Sequence, residues 1–246
     1  MTSFKLKLAD RVISVECLYE STKKFCKDYL VDNEPESFFV KVEQADIDAE
    51  REKSDREREL EGLAPFVPSD PYLETLALYR KIADNLIDFN VILFHGSSLA
   101  MDGRGYIFTA KSGTGKSTHT RLWREVFGDS VVMINDDKPL IKVENGSATV
   151  YGTPWCGKHG LGNNISAPLS AVISLERGKE NLINKTDARS IFPKLLKQTY
   201  RTKNPIRLQK TLMLLDDLSR SVGLFELECN MDPEAARVAF EGMKGN

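Results

Sequence analysis

The chain has little with which to build a metal centre or a disulfide framework. It holds four cysteines and three histidines, and Cys17, Cys26, Cys156 and Cys229 are scattered, without a Cys-x-x-Cys pair or a histidine spacing that completes a zinc site. They read as reduced thiols. Long hydrophobic runs are missing too: no uninterrupted apolar stretch approaches the roughly 20 residues of a membrane-spanning helix. The opening segment Met1 to Asp10 is too polar for a secretory signal. A soluble, cytoplasmic protein with no membrane partner is expected. Nor is there an excess of charge of one sign. With 34 Lys and Arg against 36 Asp and Glu, the net charge of -2 offers no electrostatic footprint for nucleic acid, which is excluded as an expected partner. Internal repeats and low-complexity tracts are absent as well. What remains is a 246-residue chain, 41% hydrophobic, long enough for one large α/β domain or for such a domain with a small appendage.

One stretch stands out, Tyr106-Ile107-Phe108-Thr109-Ala110-Lys111-Ser112-Gly113-Thr114-Gly115-Lys116-Ser117-Thr118. Tyr106 to Thr109 is β-prone, the next residues are small, and from Ser117 the pattern becomes helical, with Leu122 and Val126 on the inner face. A strand feeding a tight turn that opens a helix is the geometry of a phosphate-binding loop. Gly113 and Gly115 can take the positive φ that aims successive amides into one concavity, and the helix start adds partial positive charge. In such a loop Ser112 to Thr118 line the nucleotide, Lys116 reaches the β/γ oxygens, and the Ser117 hydroxyl sits on Mg²⁺. Ala110 stands where the strict pattern has its first glycine, which a negative φ would allow.

Around this centre the pattern is mixed. Phe4 to Leu8 and Val12 to Cys17 alternate as a β-hairpin, a helix is expected over about 19–30, and Phe38 to Val42 reads as a strand. Residues 43–61 are charged, as an exposed helix or linker. Pro65, Pro68 and Pro71 mark a boundary, giving an N-terminal α+β appendage at 1–68 and a main domain at 69–246. Within the main domain a helix runs from Asp70 to about Phe89. Strands follow at Val91–Phe94, 98–102, 106–109, 131–134, 140–143, 148–151, 169–176 and 222–227, and helices at 117–127, 187–198, 206–219 and 233–243. Many of these strands are joined by hairpins, so the fold class is α/β with a mixed sheet rather than a plain doubly wound one.

Two further features belong with the loop. An apolar run ends in Asp136-Asp137, 20 residues after Lys116; one carboxylate can hold Mg²⁺ through water while the other accepts the proton of an attacking hydroxyl, and either residue can take either task. His95 lies 21 residues before Lys116, at the end of a strand expected to neighbour the phosphate-loop strand. Lys158 and His159, on the glycine-rich segment Tyr151 to Asn164, could steady charge on a transferring phosphoryl group, and Trp155 is expected to be a packing anchor. His119 reads as a helix surface residue.

In order and spacing, His95-Gly96, the hairpin, Ala110 to Ser117 and Asp136-Asp137 resemble the HPr kinase/phosphorylase family. The Ser-Gly-Thr-Gly-Lys core also looks like that of ATP-dependent phosphoenolpyruvate carboxykinases, of the same superfamily. The resemblance covers about residues 91–176. It implies a phosphate loop on a mixed sheet, ATP and Mg²⁺ as cofactors, and His95 with one of Asp136 and Asp137 in proton transfer at a serine hydroxyl. The Arg-Gly-x-Gly run of the HPr kinases has no counterpart here; Gly152 to Gly162 stands in its place and is similar to that of the smaller HPr-kinase-like proteins. The expected activity is transfer of the γ-phosphoryl group of ATP to a serine or threonine hydroxyl of an amino acid, peptide or small protein. A carboxykinase-like enzyme and a non-catalytic ATP-binding module are the alternatives.

Overall fold

Alternation at the amino end does produce a hairpin. In the computed structural model, which describes residues 1–60, 62, 64 and 66–244, β1 (Thr2–Leu8) pairs antiparallel with β2 (Arg11–Cys17) through a turn in which Ala9 and Asp10 both have positive φ. Two such residues match the twist of the flanking strands. After α1 (Glu20–Phe25), β3 (Phe38–Lys41) adds to β2 in parallel, completing a three-stranded sheet. The charged stretch forms α2 (Gln44–Leu60), in which Ile47 and Glu50 are buried; α3 (Asp70–Leu86) follows.

The chain divides into compact units at Met1–Asn85 and Leu86–Asn246, rather than at the proline-marked boundary after residue 68. Polar bonds explain why α3 goes with the first unit. Fully buried Glu74 accepts from the Leu18 and Tyr19 amides (2.6 and 3.2 Å) and from the Thr22 hydroxyl, so its carboxylate caps the start of α1. Arg80 meets Glu50 at 2.5 Å, Lys81 meets Asp46 at 2.6 Å, and Arg51 pairs with Asp70, tying α3 to α2. Pro65 lies outside the described residues.

The second unit is built on a curled mixed sheet. Its strands are β4 (Val91–Leu93), β5 (Ser97–Met101), β6 (Arg104–Thr109), β7 (Val131–Asn135), β8 (Leu140–Glu144), β9 (Ser147–Tyr151), β10 (Ser166–Arg177), β11 (Leu182–Lys185) and β12 (Gly223–Cys229). The path runs β4-β8-β9-β10-β6-β5-β7, with β12 beside the second half of β10 and β11 beside β12. The long β10 makes this possible, pairing antiparallel with β9 over its first residues and parallel with β6 and β12 further on. Strand β11 has too short and polar a run to be legible beforehand. β4 pairs with β8 and not with the phosphate-loop strand, contrary to expectation.

Helices cover both faces. On one side Tyr106 and Phe108 of β6, and Ala171, Ile173 and Leu175 of β10, pack with α4 (Lys116–Phe127) and α7 (Glu234–Met243). On the other, Ile107 and Val172 join α5 (Ala188–Gln198) and α6 (Pro205–Ser221). Period-two alternation sends successive residues of one strand into two cores, which is why β6 reads as a continuous apolar run. The architecture of this unit is mixed α/β. Among the described residues no helix is long and apolar enough to cross a membrane. Phe108 is fully buried against Trp123 and His119; Phe108→Ala should destabilise the protein by about 3–5 kcal/mol, read as a lower denaturant midpoint in equilibrium unfolding.

Candidate functional site

Strand directions bring the predicted residues together. β5 runs antiparallel to β6 (Ser97 opposite Phe108) and to β7 (Ser98 opposite Asn135), so β6 and β7 are parallel and end at the edge where β5 begins. β10 is parallel to β6, Ser174 opposite Thr109, and ends there too. His95-Gly96, the loop after β6 and Asp136-Asp137 therefore share one edge, at the carboxyl ends of the parallel strands where open α/β sheets bind ligands. His95 gets there as the corner between β4 and β5.

The loop itself has the required backbone. Gly113 (φ 77°) and Gly115 (φ 126°) lie in the region closed to most side chains, while Ala110 does not, which is the condition that lets alanine replace glycine there. Gly115 precedes α4, and its carbonyl accepts the His119 amide at 2.9 Å. The Lys116 ammonium donates to the Ala110 carbonyl at 3.4 Å, back across the loop. Burial holds its pKa below the ordinary value, against the pull of the Asp137 carboxylate. Arg177, from the end of β10, donates to the Gly113 and Thr114 carbonyls at 2.5 and 3.3 Å. The Thr114 amide closes the turn by donating to the Lys111 carbonyl at 3.1 Å.

His95 is fixed at four points. Its amide donates to the Gln198 carbonyl (2.7 Å), and its own carbonyl accepts from the Thr109 hydroxyl (3.1 Å). Its Nδ1 stands 2.8 Å from Gln198 Oε1, and its Nε2 stands 3.3 Å from Asp137 Oδ1. Two acceptors thus face the two ring nitrogens. A neutral ring donates to only one of them. Gly96 follows because a Cβ there would stand 2.9 Å from the Ile107 side chain and 3.1 Å from the Phe108 carbonyl.

The acid pair is split by its surroundings. Burial pushes the Asp137 carboxyl up, but the hydrogen bond from His95 and the Lys138 ammonium at 3.1 Å outweigh it, and its pKa lies below the usual range. Asp136 is only 5% exposed, and burial holds its pKa above the ordinary value. Its Oδ1 accepts the Gly157 amide at 2.6 Å, and its Oδ2 is buried with no hydrogen-bond partner. Asn135 organises both. Its Oδ1 accepts the Asp137 and Lys138 amides (2.8 and 2.6 Å), and its Nδ2 donates to the Thr153 carbonyl and hydroxyl (3.1 and 3.0 Å).

Among the described residues no three His, Cys, Asp or Glu side chains gather as a metal site. Mg²⁺ keeps its waters and takes one or two carboxylates plus substrate phosphates; the hard oxygens available to it here are those of Ser117, Asp137 and the orphaned Asp136 Oδ2. Lys158 and His159 lie exposed and touch none of these groups, although Gly157 beside them binds Asp136. Burial pushes the Cys156 thiol up to about 11. Trp155 is buried, as expected of an anchor.

Sequence reasoning missed Gln198, Arg177 and the role of Asn135. Only Asn135 had a local signal, a polar residue closing an apolar run directly ahead of the acids. The reading of His119 as a surface residue is overturned: it is 2% exposed, its ring edge-on to Phe108, and its Nε2 accepts from Trp123 Nε1 at 3.0 Å. A position four residues before Trp123 shares its inward face.

No family model matches the chain, and no curated protein matches it. Among solved structures it is similar to the HPr(Ser) kinase/phosphatase from Coxiella burnetii, at 13% identity, over 62% of this chain and 99% of that one, with a TM-score of 0.35. A likeness at that level is distant and concerns fold alone.

Burial without a charged partner drives the His119 pKa from 6.5 down to about 4. Between these values the unfolded chain binds a proton that the folded chain refuses, so this contribution to stability is complete above about 6.5 and is lost as pH falls towards about 4. His119→Gln should remove that slope of nearly one proton, measured as unfolding free energy of variant against wild type across the window.

Proposed function

We propose that this chain is an ATP-dependent kinase that uses Mg²⁺ and moves the γ-phosphoryl group to a serine or threonine hydroxyl of an amino acid, peptide or small protein. One observation carries the reading: a braced imidazole–carboxylate pair, His95 with Asp137, stands at the same sheet edge as the phosphate loop. A module that only bound nucleotide would use the loop and have no task for that pair.

In this reading the amides from Ser112 to Ser117, except that of Thr114 which donates to the Lys111 carbonyl, and the Thr118 hydroxyl cradle the phosphates, and Lys116 offsets charge on the β/γ oxygens. Mg²⁺, which Ser117 and the unpartnered Oδ2 of Asp136 would hold once Asp137 is given to the proton, would neutralise phosphate charge. Asp137, ionised at neutral pH, receives the acceptor proton, with His95 as its positioned partner. Its depressed pKa makes it a weak base. A loose phosphoryl-transfer transition state asks for little more, because the hydroxyl loses its proton late and position dominates. Asp136 keeps the loop containing Gly157 against the site.

Two measurements test this. Saturating MgATP should raise the melting temperature, by the equivalent of about 2.7 kcal/mol at 100 times Kd, and Lys116→Ala should largely abolish the rise; no shift in the wild type removes the nucleotide site. In label transfer from γ-labelled ATP to hydroxyl acceptors, His95→Ala should lower kcat by about 10²- to 10⁴-fold while MgATP affinity stays within a few-fold. Unchanged turnover would return His95 to a purely structural role.

A further inference from the structure

Gln198 reaches the candidate site through its backbone. It is the last residue of α5, and beyond it the chain lies antiparallel to the end of β4, with Thr199 opposite Phe94. The His95 amide donates to the Gln198 carbonyl at 2.7 Å, and the Tyr200 amide donates to the Leu93 carbonyl at 2.9 Å. The Thr199 hydroxyl closes the helix on the Leu195 carbonyl at 2.9 Å. None of these bonds uses the side chain at 198, so they set that position beside His95 whatever residue stands there. The Gln198 side chain is half-buried in the wall of a cavity of about 700 Å³ beside the phosphate loop, which His95 also lines.

The two contacts of the ring differ. Nδ1 lies 2.8 Å from Gln198 Oε1, the length of a formed hydrogen bond. Nε2 lies 3.3 Å from Asp137 Oδ1, longer than the roughly 2.7–2.9 Å of a charge-assisted bond to a carboxylate. An amide oxygen has no hydrogen to give, so the shorter contact requires one on Nδ1. With Nδ1 so committed, the ring gains or releases a proton at Nε2, and that nitrogen faces Asp137. Without the amide oxygen, Asp137 is the remaining acceptor of the two. A neutral ring then moves its hydrogen to Nε2, and the nitrogen that should take a proton already carries one.

We propose that Gln198 is a positioning residue that keeps the hydrogen of the neutral His95 ring on Nδ1, so that Nε2 shares the acceptor proton with Asp137. An acceptor behind an imidazole fixes its tautomer in this way. The inference rests on the kinase reading above. In the transfer the acceptor oxygen bonds to the γ-phosphorus, the bond from that phosphorus to the β–γ bridging oxygen breaks, and ADP leaves with the electron pair. The hydroxyl proton passes to Asp137 Oδ1 and on to Nε2, giving an imidazolium with an acceptor at each nitrogen, and then leaves to water.

The full chain has three histidines, so the ring nitrogen resonances of isotope-labelled protein can be assigned with His119→Gln and His159→Gln. At a pH high enough to leave an imidazole neutral, His95 should show a hydrogen on Nδ1 and a bare Nε2. Gln198→Met, which keeps the length of the side chain and loses the acceptor, should show the reverse. In label transfer from γ-labelled MgATP it should lower kcat by about tenfold or more, while acceptor KM and MgATP Kd stay within about twofold. Gln198→Glu, which restores an oxygen opposite Nδ1, should recover the tautomer and part of kcat. A bare Nδ1 in the wild type would mean that the amide nitrogen faces it; that result, or wild-type kcat in Gln198→Met, overturns the inference and leaves the kinase reading standing. A loss in Gln198→Met that falls on MgATP affinity overturns it too. MgATP binding with no transfer to any acceptor removes the kinase reading and the proton path with it, whatever the tautomer.

Discussion

Strand β5 is the constraint on which the candidate site depends. It is short, and it runs antiparallel between β6 and β7, so those two strands must run parallel and finish at the edge where β5 starts. Each of the three chain ends there carries one chemical function: an imidazole entering β5, a phosphate loop leaving β6, a carboxylate pair leaving β7. Ser97 and Ser98, both fully buried, fasten the arrangement by donating to the Asp136 and Asn135 carbonyls at 3.1 Å. A one-residue slip of β5 would turn these hydroxyls into the opposite core and carry His95 away from Asp137. Register and chemistry are therefore one constraint.

Around that edge polar bonding and hydrophobic packing divide the work. The cores on the two faces of the sheet fix β6 and β10 through alternate residues, but they cannot orient a ring or a carboxylate. Orientation comes from groups delivered by distant segments: Gln198 at the end of α5, Arg177 at the end of β10, and Thr153 on the loop after β9. Each fixes a backbone or side-chain atom of the site by a hydrogen bond. The result is a preorganised edge whose side chains need little rearrangement to meet a ligand.

How much of this was legible in the sequence follows the range of the interactions. The strand–turn–helix around Gly113 and Gly115, the hairpins and most helices are local patterns of period and turn chemistry, and they fold as read. His95 could be singled out, but the reason given for its position was wrong: its strand β4 pairs with β8, and it reaches the loop as the corner into β5. Gln198 is 103 residues from His95 and Arg177 is 64 from Gly113, so no window of sequence joins them. His119 was misplaced because a lone histidine on a helix start reads as polar, whereas its neutral ring completes an aromatic cluster with Phe108 and Trp123.

Net charge is the measure that misleads most. The value of -2 offers no footprint for a nucleic-acid backbone, yet it averages over a surface on which the sheet edge that carries His95 and Asp137 gathers several cations. Lys116 and Lys138 face Asp137, and Lys111 and Lys197 stand unpaired in the adjoining cavity. A field of this kind acts over about 8 Å at physiological ionic strength, so it governs what enters the cleft and is invisible to the rest of the surface. It also explains why two neighbouring aspartates can differ so much. Asp137 faces the cations and is held ionised, whereas Asp136, one residue back, is turned beneath Gly157 and answers chiefly to burial. An acid held ionised by neighbouring cations answers to any anion that comes to share them: a phosphate bound at this edge would take up part of that stabilisation and raise the Asp137 pKa.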